Sequence, residues 1–245
     1  MKAGGWTRRE AIRLRREYIK RNLRRFAGYS VAYAGALGIA AWGASENKFG
    51  LGLLVGAGGA TWIAALAWVI AMESRSQRYF EGADAERWSA QEFRKLRREW
   101  TCLNDIPLTR GNVDHVLIGR RGIVAVETKF TRDPNHLWRS GFWGFDKDPI
   151  KQARDGAAAI ERILAEAGVR VEVRPALAIW GSGAREYEDR APRAVTILSS
   201  RQRHEWKDRL SRTDANLDPE TIEVAKHAID DWQRANSAPP IDGAD

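Results

Sequence analysis

Two stretches of this chain carry no charged side chain, and they restrict its fold more than any other feature. Phe26–Ser45 covers 20 residues and Phe49–Met72 covers 24, with only Glu46, Asn47 and Lys48 between them. A helix needs about 20 apolar residues to cross a bilayer, so each stretch has the length of a span. Both are rich in glycine and alanine, and small residues let helices pack closely in lipid. Gly52, Gly56, Gly59 and Ala60 resemble such a packing stripe. Tyr29, Tyr33, Trp42, Trp62 and Trp68 include side chains suited to the membrane–water interface. One alternative is a buried helical hairpin in a soluble protein. Another is a cleaved signal peptide over Phe26–Ala44 followed by a single anchor, but the charged leader is long for that and no clean Ala-x-Ala site follows. The expectation is two transmembrane helices, 26–45 and 49–72.

The charge is concentrated ahead of them. Residues 1–25 hold ten basic side chains against Glu10 and Glu17, so 10 − 2 = +8, the net charge of the whole chain. The other 220 residues are formally neutral, and the alkaline character belongs to the leader. Basic residues favour the cytoplasmic side of a membrane. The leader, with Arg75 and Arg78 beyond the second stretch, predicts a multi-pass protein of the cell membrane with both termini in the cytoplasm. Trp6–Arg25 also reads as a basic helix able to lie on anionic lipid.

From about residue 79 the composition becomes that of a soluble domain. Glu81–Trp100 has the period of an amphipathic helix, with Ala85, Trp88, Phe93, Leu96 and Trp100 on its apolar face. Two strand-like segments follow, 112–118 and 123–129, and then an irregular aromatic stretch read as a third extended segment. Asp148-Pro149 signals a helix start, and that helix runs to about Ala167 with Gly168 ending it. Strands at Val171–Trp180 and Ala194–Leu198 precede helices near Gln202–Leu210 and Pro219–Arg234. The pattern gives a domain over 79–210, a C-terminal helix over 211–234 and a disordered tail over 235–245. Helices around a mixed sheet place the domain in the α/β or α+β class.

The chemistry concentrates in the two adjacent strands. Gly119-Arg120-Arg121-Gly122 joins them, and a tight turn there pairs residues whose numbers sum to 241. Asp114 then faces Glu127, and Lys129 lies on the same face, since side chains alternate along a strand. Directly opposed like charges destabilise a sheet pair, and the surrounding Val116, Leu117, Ile118, Val124 and Val126 mark a buried element. A bound cation is the economical explanation. The single cysteine, Cys102, rules out an internal disulfide and a thiolate–zinc site, and the four histidines have no metal-ligand helix spacing. An oxygen-ligated ion, Mg2+ or Mn2+, fits Asp114, Glu127 and the main-chain carbonyl of Thr128. Lys129 beside it can orient or help deprotonate a water and offset phosphate charge, which suits phosphodiester hydrolysis. His115 falls on the opposite face and reads as structural. Arg120 and Arg121 at the turn, and Trp138, Arg139, Trp143 and Phe145 beyond it, could touch a phosphate backbone or stack on bases; a solvated turn and ordinary packing are the alternatives.

An Asp on one strand followed by Glu-x-Lys on its neighbour resembles the signature of the PD-(D/E)xK nuclease superfamily. Gly82-Ala83-Asp84-Ala85-Glu86 on a helix, then Asn112 to Gly119, then Gly122 to Lys129, and later Asp148-Pro149-Ile150-Lys151-Gln152, resemble the nuclease-related domain (NERD) family over about residues 80–200. That resemblance implies a restriction-endonuclease-like mixed sheet flanked by helices. It implies that Glu86 is the helical acidic residue of the site and that Gln152 points into it. By analogy it also implies a homodimer.

The reading from sequence is therefore a membrane-anchored, cytoplasm-facing nuclease that cuts nucleic acid, DNA in preference to RNA, with a divalent metal and no small-molecule cofactor. The catalytic set is Asp114, Glu127, Lys129, Glu86 and Gln152. A non-catalytic membrane scaffold of the same fold, binding nucleic acid or a protein, is the alternative; a small-molecule phosphohydrolase is a third.

Overall fold

The computed structural model describes residues 3–43, 48–74, 76–109, 111–132, 148–186 and 194–236. The chain divides into two units, Trp6–Phe80 on one hand and Met1–Gly5 with Glu81–Asp245 on the other.

The first unit is a helical hairpin. Helix α1 runs without a break over Gly5–Gly43, and α2 covers Lys48–Glu73. The basic leader and the first charge-free stretch, read from sequence as separate elements, are thus one helix. Among the described residues a single helix, over Phe49–Glu73, is long and apolar enough to cross a membrane, and none of its apolar window is buried within the protein. The first stretch falls short because its glycines, Tyr29, Ser30, Tyr33 and Trp42 dilute its apolar side chains. Val31, Ile39, Trp42, Phe49, Leu53, Ile63 and Trp68 are exposed.

Specific contacts hold the hairpin. The Tyr33 hydroxyl donates to the Gly58 carbonyl at 2.9 Å, and the Trp62 indole N–H donates to Ser30 Oγ at 3.2 Å. The Tyr33 and Trp62 rings stack at 4.7 Å, so these two aromatics join helices rather than serve as interfacial anchors. A Cβ on Gly58 would meet Leu37 Cδ1 at 2.9 Å, whereas Gly52, Gly56 and Gly59 have open space beside them. The close approach therefore runs through Gly58 and not through the expected stripe. One residue turns a helix by about 100°, enough to carry the stripe off the contact.

The second unit is a five-stranded sheet between helices. Helix α3 spans Ser76–Lys95, and β1 follows over Trp100–Pro107. Trp100, assigned from sequence to the end of the helix, is instead the first residue of a strand that the sequence pattern does not show. Asn104, Asp105 and Pro107 give β1 the composition of a loop, and an edge strand tolerates them. Then come β2 (Asn112–Gly119), β3 (Gly122–Phe130), α4 (Pro149–Glu166), β4 (Val173–Trp180) and β5 (Thr196–Ser199). A 3-10 turn over Ser200–Glu205 leads into α5 (Trp206–Ser211), and α6 covers Pro219–Asn236. The region expected to be a third extended segment, and the tail from residue 237, lie outside the described residues.

Strand order follows chain order, β1-β2-β3-β4-β5. The first three strands form an antiparallel meander, and β4 and β5 join parallel to β3. A parallel connection needs a crossover, and α4 supplies it. Asp148 caps α4 by accepting the Ile150 N–H at 2.9 Å, and Gly168, at φ 82°, turns the chain beyond it. On one face Ile160, Ile163 and Leu164 of α4 and Ala225 and Ile229 of α6 pack on Val116, Ile118, Ile123 and Ala125. Helix α6 is therefore part of this core, not an appendage to it. On the other face Phe93 of α3 and Trp206 and Leu210 of α5 pack on Leu117, Val124, Val126, Ala176 and Leu198.

Candidate functional site

The turn between β2 and β3 sets the site. Gly119 pairs with Gly122, and Gly122 takes φ 104°, a left-handed conformation that suits glycine. From there the ladder runs Ile118↔Ile123, Leu117↔Val124, Val116↔Ala125 and His115↔Val126, all summing to 241 as expected. Then it stops. The next position would oppose Asp114 to Glu127, and here β2 and β3 part.

What replaces the ladder is a side chain. Asp114 Oδ2 accepts the Thr128 N–H at 2.7 Å. The N–H and C=O of one strand residue point the same way, so the Thr128 carbonyl also faces the gap beside Asp114. The Thr128 side chain points to the opposite face, where Ser89 of α3 lies 3.4 Å from its hydroxyl and accepts the Trp180 indole N–H at 2.7 Å. This buried node fixes α3 against β3 and β4. Glu86 sits one helical turn before Ser89 and is itself buried.

Lys129 Nζ donates to Glu127 Oε1 at 2.5 Å, and both side chains are largely enclosed, 16% and 12% exposed. Burial raises the Asp114 carboxyl well above the usual range, and the nearby charges of Glu127 and Glu86 add to the effect; Lys129 and the Thr128 N–H oppose it. For Lys129 burial acts downward, but the charges of Glu127 and Asp114 and the bond to Glu127 outweigh it, and its pKa rises. Glu127 and Glu86 thus add negative potential at Asp114, and Lys129 offsets part of it. A proton on Asp114 relieves this locally, as a bound cation would.

The structure thus brings Asp114, Glu127, Thr128, Lys129 and Glu86 into one electrostatic unit. Gln152 stands apart. It lies in the first turn of α4, half-buried, with its backbone N–H bonded to Asp148 O at 2.9 Å. Among the described residues its side-chain amide makes no hydrogen bond to Asp114, Glu127 or Lys129. His115 faces away as expected: it is fully buried, edge-on to Phe93, with Nδ1 2.8 Å from Asn104 Oδ1. Arg120 and Arg121 are exposed, and their carbonyls accept from Leu217 N at 2.8 Å and Arg174 Nη2 at 3.1 Å. Trp138, Arg139, Trp143 and Phe145 lie outside the described residues. So arranged, the buried carboxylates, the carbonyl and the ammonium can hold a hard cation and a phosphate oxygen side by side. Among the described residues no group of three or more His, Cys, Asp or Glu could hold a metal ion.

Asp114 near the start of β2, Glu127 and Lys129 on β3 and Glu86 on α3 are the residues that carried the sequence resemblance. Residues 81–180 match the family model of the nuclease-related domain, NERD. No curated protein or solved structure gives a significant match to the chain. The NERD match runs from α3 through β4 and includes all six candidate residues, while α5 and α6 lie beyond it.

Two residues of the site were not legible in the sequence. Asp105 on β1 is buried and takes φ 60°, and Asn112 Nδ2 lies 2.9 Å from its Oδ1 and 3.4 Å from Asp114 Oδ1. No periodicity marks Asp105. The only hint is its residue type, since Asp and Asn are enriched among residues at positive φ.

Proposed function

We propose that this protein hydrolyses phosphodiester bonds in nucleic acid, DNA in preference to RNA, from a cytoplasm-facing domain anchored by α1 and α2 as a multi-pass pair. The observation that supports the reading is the end of the β2–β3 ladder before Asp114 and Glu127, with Asp114 held on the Thr128 N–H and Glu127 on Lys129. Their oxygen chemistry fits Mg2+ or Mn2+. Such an ion, when bound, polarises a phosphate oxygen and lowers the pKa of its water.

The chain's own groups supply the rest. Asp114, fixed by the Thr128 N–H, and Glu127, fixed by Lys129, hold oxygens in place before any ligand arrives, so little reorganisation is needed. Lys129 is held protonated by Glu127, and this favours a role in orienting water and offsetting phosphate charge over one as a base. Glu86 adds negative potential from α3, drawing cations to the gap. Gln152, at the start of α4, would contact substrate rather than the carboxylates. The outward-facing apolar side chains of α1 and α2 and the basic leader support the anchor and its orientation. A homodimer is compatible with this reading.

One observation favours a second reading. Asp114 is only 8% exposed, and so closed a site would also suit a non-catalytic scaffold that kept the fold. The test is cleavage of labelled DNA, RNA and mononucleotides by the full chain in detergent, with Mg2+ or Mn2+. The nuclease reading expects cleavage of DNA that falls by at least about 10²-fold in Glu127→Ala and Lys129→Ala. No cleavage under either ion, or equal cleavage by the variants, overturns it. Cleavage confined to mononucleotides would point to a small-molecule phosphohydrolase.

A further inference from the structure

Asp105 and Asp114 face one another across β1 and β2. The flanking pairs are Asn104↔His115 and Ile106↔Val113, and both carboxylates are buried, 3% and 8% exposed. Like charges so placed repel. Asn112, two residues from Asp114 on the same strand face, sets its amide between them: Nδ2 is 2.9 Å from Asp105 Oδ1 and 3.4 Å from Asp114 Oδ1. With Oδ2 taken by the Thr128 N–H at 2.7 Å, both oxygens of Asp114 are steered. Each carboxylate oxygen has two lone pairs, so Oδ1 can hold Asn112 and still face the gap.

Asp105 reaches Asn112 from φ 60°, a conformation that costs most residues stability and persists where surroundings enforce it. The enforcement comes from α6. Gln233 Nε2 donates to the carbonyls of Asn104 at 2.7 Å and Asp105 at 3.0 Å, and the Trp232 indole N–H donates to the Pro107 carbonyl at 2.8 Å. Gln233 is itself 9% exposed. Three side-chain bonds thus clamp the β1 backbone on both sides of the strained residue, all from a helix outside residues 81–180.

We propose that Gln233, Asp105 and Asn112 form a positioning relay that aims the Asp114 carboxylate, and that α6 thereby controls the affinity of the site for a divalent cation. This rests on the reading of Asp114 as a ligand. Partners of this kind, hydrogen-bonded to a ligating group, set metal affinity by about 10- to 100-fold.

The backbone strain makes the relay separable from folding. Glycine adopts φ 60° without penalty, and asparagine tolerates it while retaining the Oδ1 acceptor. Mn2+ affinity is measured by calorimetry on the full chain in detergent, beside the urea unfolding midpoint. Asp105→Gly is expected to weaken Mn2+ binding by about 10-fold or more with the midpoint unchanged or raised, and Asp105→Asn to stay within about threefold of wild type, far short of that loss. Gln233→Leu is expected to weaken binding, whereas Ile229→Val, which loosens α6 packing but leaves these bonds, does not. Wild-type affinity in Asp105→Gly or Gln233→Leu, or equal loss in Asp105→Asn and Asp105→Gly, overturns the relay. Mn2+ binding that Asp114→Asn leaves intact, or no binding by wild type, overturns the ligand reading and the relay with it.

Discussion

Replacing Lys129 with methionine removes one charge from an enclosed pair and keeps the length of the side chain. Glu127 then loses its bonded ammonium while it stays close to the buried Asp114. Glu127 and Lys129 are 12% and 16% exposed, and removing one partner of a pair this buried costs about 3–5 kcal/mol. At about 1.4 kcal/mol per factor of ten, the domain's open population rises roughly 10²- to 10⁴-fold. Cys102 reports this directly. It is the only cysteine, it lies in β1, and burial pushes its thiol up to about 12, with Arg94 opposing. Cys102 is only partly buried, so the part of its alkylation at pH 8 that rises with sub-denaturing urea, which comes from opened molecules, is the part that tracks the opening equilibrium while closing is fast. Lys129→Met is expected to raise that part of the rate by the same factor. Glu127→Gln/Lys129→Met removes both charges of the pair together and is expected to recover most of the protection. Added Mn2+ should protect the single variant more than wild type. Urea-dependent alkylation of Lys129→Met within about threefold of wild type, against the at least 10² that breaking such a pair implies, would refute the reasoning. So would a double variant as labile as the single.

Two further outcomes follow from other parts of the molecule. Burial lowers His115 to about 3, so its contribution to stability is complete above its ordinary pKa of about 6.5 and is lost as pH falls from there towards 3, by up to about 1.4 kcal/mol per pH unit; the raised Asp114 acts in the opposite direction, so the check is the difference between variants: from pH 7 to 5 the urea midpoint should fall more, or rise less, in wild type than in His115→Gln. Gly58→Ile forces a branched side chain against Leu37 and Tyr33 and is expected to cost about 1–3 kcal/mol, read as faster hydrogen exchange in α1 and α2, while Gly56→Ile, beside open space, leaves exchange unchanged.

The parts of this molecule that were legible in sequence are those where one local rule decides. Gly119 and Gly122 fix a turn, the turn fixes a register, and the register makes Asp114, Glu127 and Lys129 neighbours; no tertiary information is needed. Asp148-Pro149 and Gly168 bound α4 in the same way. The missed elements depend on tertiary contacts. Strand β1 is carried by its pairing to β2 and by α6, and its Asn104, Asp105 and Pro107 have no strand preference of their own. Asp105 sits in its strained conformation with its carbonyl held by Gln233, 128 residues away. The parting of β2 and β3 was equally hidden, since the pattern of residues predicts that the ladder continues through Asp114 and Glu127. In the hairpin, glycine spacing gave a stripe, but only packing shows that Gly58 is the residue the partner helix approaches.

We propose the gap between Asp114 and Glu127 as a metal site. Anomalous diffraction from crystals of the full chain grown with Mn2+ tests it most directly. One anomalous peak is expected at about 2.0–2.3 Å, the range for hard-cation oxygen ligands, from a carboxylate oxygen of Asp114, one of Glu127 and the Thr128 carbonyl. A peak elsewhere on the domain, or none at saturating Mn2+, would contradict it.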